Sequence, residues 1–118
     1  VKTKSSNIIK GKITEHENLR TFLDGSTRSY VLLRSCAVGL GKYKPGWKWS
    51  THAGVQTGKP SENHIGYIIS GHMMIKDSNG VEIEIGPGEA FEVVPGSDAW
   101  VVGNEICIAL DFIPIISS

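Results

Sequence analysis

Between residues 64 and 100 the chain is cut by turn signals at nearly even spacing, and this limits its fold more than any other feature. Ser70-Gly71, Asp77-Ser78-Asn79-Gly80, Gly86-Pro87-Gly88 and Pro95-Gly96-Ser97-Asp98 leave segments of only a few residues between them. A helix of ordinary length, about 11–12 residues, does not fit such gaps. Short strands do, and they are expected at residues 64–69, 72–76, 81–85, 90–94 and 99–102. The Asn79-Gly80 pair suits a hairpin turn with φ > 0 at both central positions. Val81, Ile83 and Ile85 alternate with Glu82 and Glu84, the pattern of a strand with one buried and one wet face. The fold class is all-β and antiparallel, a small barrel or jelly roll.

The flanking sequence fits the same architecture. Residues 27–40 are β-branched and aliphatic on both faces and read as one long central strand. Residues 106–112 alternate Ile106, Ile108, Leu110 and Phe112 against Cys107, Ala109 and Asp111, and read as the last strand. Residues 7–13 are expected as a short edge strand. Residues 15–23 hold the one helix-compatible piece, with Thr14 as N-cap and Gly25 as stop. Residues 53–63 lack periodicity and form a loop at the pocket mouth; loops of that length are often functional. The chain is thus one domain over residues 1–118. Residues 1–26 supply an N-terminal strand and a turn or short helix, 27–112 the barrel, and 113–118 a tail.

Composition removes several classes of function. With 12 basic and 12 acidic residues there is no global field to gather nucleic acid or an anionic membrane. The four lysines among the first 12 residues lack interleaved aromatics and read as a solvated segment. No run approaches the ~20 apolar residues of a membrane span. Opening on Val1, the chain is expected to be processed or trimmed, and Val1-Lys2-Thr3-Lys4 has no apolar stretch behind it, so no signal peptide is read there. Cys36 and Cys107 stand in strand-like runs without CxxC spacing and read as packed thiols. A cytoplasmic location is the matching expectation.

Two spaced motifs then point to a family. Gly46 and His52, followed by His64 and Gly71, are similar to the first cupin motif, with His64 where cupins usually carry Glu. Gly88-Glu89 followed by Pro95-Gly96 resembles the second. The resemblance covers roughly residues 30–112 and implies a single-domain cupin-like jelly-roll β-barrel. It also implies a divalent transition metal, zinc, iron, manganese, nickel or copper, held by imidazoles and a carboxylate. Here the pattern departs: His52-Ala53-Gly54 replaces a His-x-His, and Ala99 stands at the late histidine position. The set that survives is His52, His64 and Glu62, with Asp98 and His72 as further candidates. The alternative is that His52 and His64 are hydrogen-bonded pocket histidines, and that Lys48, Ser50, Tyr67 and Asp98 line a metal-free pocket for a small polar or anionic ligand.

Three functions stay open: a small-molecule-binding cupin with a metal site at His52 and His64, a metal-dependent dioxygenase or an isomerase, and a non-catalytic ligand sensor or interaction module. No GxSxG, phosphate-cradling glycine loop or HExxH competes with them. On a straight strand, Trp47, Trp49 and Thr51 share one face and Lys48, Ser50 and His52 the other. Indoles pointing away from the pocket, beside a bare edge strand at residues 7–13, predict a homodimer; the alternative is that the tryptophans pack inside the barrel, one of them lining a ligand pocket, and that residues 14–25 cover the edge.

Overall fold

The computed structural model describes residues 7–13, 19–54 and 63–115, the side chain of His64 excepted. Among the described residues nine strands follow in order: β1 (Leu19–Thr21), β2 (Thr27–Leu32), β3 (Cys36–Tyr43), β4 (His64–Ser70), β5 (His72–Lys76), β6 (Glu82–Ile85), β7 (Ala90–Val93), β8 (Asp98–Val102) and β9 (Cys107–Pro114). They form a six-stranded sheet, β1-β2-β3-β9-β4-β7, and a three-stranded sheet, β6-β5-β8. The described strand pairs are all antiparallel. From β4 onward the chain passes between the sheets repeatedly, which makes a jelly roll. The β4–β5 crossing turns at Gly71, with φ 77°, where a Cβ would lie 2.5 Å from the Ile106 carbonyl oxygen. Only glycine fits there.

The five strands expected within residues 64–102 are all present, with no end shifted by more than one residue. Elsewhere the structure corrects the reading. Residues 27–40 are a hairpin, closed by the Leu33 N–H donating to the Cys36 carbonyl at 2.9 Å. Residues 7–13 form no strand, because β1 occupies the free edge of β2 and the Asn7 carbonyl accepts instead from Arg34 Nη1 at 3.0 Å. Leu19–Thr21 pairs as β1, so the helix expected over residues 15–23 is absent there; residues 14–18 lie outside the described ones.

At the β5–β6 hairpin only Gly80 takes positive φ, and Asn79 does not. Asp77 makes the turn, its Oδ1 accepting from the N–H groups of Asn79 and Val81 at 2.9 and 3.0 Å. In β6, Ile85 is buried while Ile83, like Val81 just before the strand, is over half exposed, because β6 is an edge of the smaller sheet.

The core lies between the sheets. Phe22, Tyr43, Trp47, Ile68, Met73 and Val101 are buried together, each large side chain there contributing about 1.5–3 kcal/mol by leaving water. Phe22, Tyr43 and Trp47 are in mutual ring contact, the closest pair, Tyr43 and Trp47, having centroids 4.4 Å apart. No described helix is long and apolar enough to cross a membrane.

Candidate functional site

The inner face of the large sheet is built from small residues where its strands are longest. Ala37, Gly39 and Gly41 on β3 alternate inward, and Ala109 on β9 pairs with Gly41. Side chains this small cannot fill the space between two sheets about 10 Å apart. What remains is a cavity of about 780 Å³. Its wall carries Phe22, Tyr43, Trp47, Trp49, Met73 and Phe91, and its charged groups are Arg20, Arg28, Asp98 and Asp111.

Two of those charges face each other. Arg28 on β2 reaches over β3 at Gly39, where a Cβ would stand 3.3 Å from its Nε. Its Nη2 lies 3.2 Å from Asp111 Oδ2. Asp111 is nearly fully buried, so the carboxylate depends on this guanidinium. Tyr43 folds over the neighbouring Gly41 in van der Waals contact. Burial first, and the Asp111 charge second, push the Tyr43 phenol well above its ordinary value. The same two causes push the Cys107 thiol up to about 11.

The mouth is shaped by a single π-helical turn, Trp49–Ala53. The Pro45-Gly46 turn precedes it, Gly46 taking φ 90°, and Val101 N–H donates to the Trp47 carbonyl at 3.0 Å, tying the segment to β8. Asp98 then clamps the turn. It accepts from Ser50 N–H at 3.0 Å, Ser50 Oγ at 2.8 Å and Ala99 N–H at 2.9 Å, with Lys48 Nζ 3.9 Å away. The winding turns both tryptophans inward: Trp47 is only 3% exposed, and both line the cavity. The straight strand expected over residues 47–51, with its indoles facing away from the pocket, is therefore overturned.

Lys48, Ser50 and Asp98 do come together, but they bond chiefly to one another, and only Asp98 reaches the cavity wall. Tyr67 is 40% exposed and does not line the cavity. His72 is exposed and alternates with the cavity-lining Met73 and Ile75, so it sits on the other face of β5. His52 is half-buried, and its Nδ1 accepts from the Lys48 N–H at 2.9 Å. His64 opens β4 opposite Val93, but its side chain, like all of Glu62, lies outside the described residues. Cys36 and Cys107 are free thiols, paired with Pro114 and Tyr43 at opposite ends of the β3–β9 ladder.

The described donors fit a metal poorly. A histidine accepting at Nδ1 carries its proton on Nε2, whereas metal-binding imidazoles normally donate from the nitrogen that does not bind. Among the described residues no three His, Cys, Asp or Glu side chains converge.

No family model matches this sequence, and no curated protein matches it. Solved structures do. KdgF from Halomonas sp. is similar over 92% of this chain and 97% of its own, with TM-score 0.63 and 16% identity. A double-stranded beta-helix domain protein from Klebsiella pneumoniae covers 93% and 90%, with TM-score 0.59 and 20% identity. A cupin-2 domain protein from Shewanella frigidimarina covers 72% and 76%, with TM-score 0.50 and 13% identity. The fold is the double-stranded β-helix barrel of these cupin-type structures. At these identities the likeness fixes the cupin barrel and leaves the chemistry to this chain's own residues.

Those residues were only partly visible beforehand. Arg28, Asp111 and Tyr43 were not singled out for the site. A signal existed: Asp111 is a carboxylate inside an otherwise apolar strand, on the face that also carries Ala109.

Proposed function

We propose that this cupin binds a small molecule in the cavity between its two sheets. The observation that carries the reading is a space of about 780 Å³, in the ordinary size range of ligand pockets, walled by aromatic rings. Into this wall are set buried donors, Nε and Nη2 of Arg28 and Nε1 of Trp47, that donate to no hydrogen-bond acceptor among the described residues, although Nη2 stands in an ion pair with Asp111. Unpaired buried polar groups are costly, and a ligand that brings acceptors offsets that cost.

A thermal-shift screen of small organic acids, alcohols and amines tests it. Binders should raise the Tm of the wild-type protein and leave a cavity-filled variant, Ala99→Phe with Ala109→Leu, unmoved. Equal shifts in both proteins would place binding outside the cavity and reject the reading.

A further inference from the structure

We infer that the cavity takes a carboxylic acid with a flat apolar body, its carboxylate held by Arg28 and Trp47. The inference rests on the cavity being a ligand site. Its first support is the sign of the unpaired groups. The buried side-chain polar atoms without a partner, among the described residues, are Arg28 Nε, Arg28 Nη2 and Trp47 Nε1. A guanidinium and an indole only donate. The ligand must therefore bring acceptors.

Geometry narrows this further. Nε and Nη2 form one edge of the guanidinium, the edge on which a carboxylate sits with two parallel hydrogen bonds. Asp111 Oδ2 is at ion-pair distance from Nη2 but is not aligned to take that hydrogen bond. Its charge holds the guanidinium in place without taking a hydrogen bond from Nε or Nη2. Trp47, only 3% exposed, adds a third donor in the same wall.

Charge balance favours one negative charge over two. Asp111 offsets Arg28. Asp98 is engaged by Ser50, Ala99 and Lys48. Arg20 is the remaining cation of the lining, so a monoanion leaves the cavity neutral where a phosphate dianion would not. The rest of the wall is rings and aliphatic carbon: Phe22, Tyr43, Trp49, Phe91, Met73 and Ile75. Such a lining suits a flat hydrocarbon body stacked on aromatic faces.

The probe is 2-naphthoate, with 2-naphthalenemethanol as its neutral counterpart, titrated by calorimetry at pH 7, where the acid is ionised. The acid should bind at least about tenfold more tightly than the alcohol, the scale of one charge-assisted hydrogen bond. Arg28→Met should erase that difference by weakening the acid more than the alcohol, because the acid alone loses a charge-assisted hydrogen bond. Should Arg28→Met fail to fold, two milder variants read the same contacts. Arg28→Lys keeps the charge without the paired edge, and Trp47→Phe keeps a ring without the donor; each should weaken the acid selectively.

Equal binding of acid and alcohol, both lost in the filled variant, keeps the cavity as a binding site and overturns the carboxylate assignment. Preference for the acid that survives Arg28→Met, or both milder variants, also overturns it. Binding of neither probe overturns this assignment while the wider screen still judges the cavity.

Discussion

Arg28 and Asp111 belong to strands separated by β3, and they meet because Gly39, opposite Asp111 in register, carries no side chain between them. The pair sets a clear stability expectation. Asp111→Ala leaves a largely buried guanidinium without its counter-charge and should cost about 2–4 kcal/mol in urea unfolding. The double variant Arg28→Met, Asp111→Leu should cost less than the two single changes added, since no charge is left unpaired. Gly39→Val should displace Arg28 and reproduce part of the Asp111→Ala loss. Additive single and double changes would show that the pair is not coupled.

Stability should fall in alkali. The Cys107 thiol rises from 9.0 to about 11, and the Tyr43 phenol is raised above 10.0, both mainly by burial. Each loses its proton to become an anion, so the unfolded chain releases protons at lower pH than the folded one. Their contribution is whole below pH ~9 and is lost as pH climbs through ~11, with a slope of at most about 1.4 kcal/mol per pH unit for one group. Urea midpoints at pH 8, 9.5 and 10.5 check this. Cys107→Val should flatten the first part of the decline, and an identical decline in that variant would remove the thiol as its cause.

The strand pattern was legible wherever glycine and proline punctuate it, and residues 64–100 show this best. It failed where the chain turns without them. Leu33-Arg34-Ser35 offers only Ser35 as a turn former, so β2 and β3 read as one strand. The π-helical turn was hidden because Trp47-Lys48-Trp49-Ser50 alternates like a strand; its bonds to Asp98 come from 48 residues away. Spacing brought Lys48, Ser50 and Asp98 into view for the right region. It could not find Arg28, because the reach over Gly39 depends on register across three strands.

Asp98 should hold the mouth of the cavity. It accepts three short hydrogen bonds, two of them from Ser50. Asp98→Ala leaves those donors without their acceptor and should cost about 1–3 kcal/mol. The loss should be local, with amide exchange at Ser50 and Ala99 accelerating well before the exchange of β9. Asp98→Asn keeps one acceptor oxygen and should lie between the two. Unchanged exchange at Ser50 in the alanine variant would mean that the turn stands without the clamp.

Assembly is the last expectation, and the structure moves it to a different surface. With Trp47 and Trp49 turned inward and residues 7–13 unpaired as a strand, the edge-and-indole route to a homodimer no longer holds. The outer face of the large sheet offers another. Its cross-strand rows read Val31, Val38, Phe112, Ile65 and then Leu40, Leu110, Tyr67. Ile65 and Tyr67 are 46% and 40% exposed. Apart from Glu92, which pairs with Ile65 at the β7 end, these rows carry no charge, so a second copy related by a two-fold axis can pack sheet on sheet. Extended by Ile69 and Ile108, the face spans four strands. Sedimentation at micromolar concentration should give a dimer. Leu40→Glu with Leu110→Glu should make it monomeric with near-ultraviolet circular dichroism retained, and removal of residues 1–12 should leave it dimeric. A monomeric wild type, or a dimer that survives the paired glutamates, rejects this face.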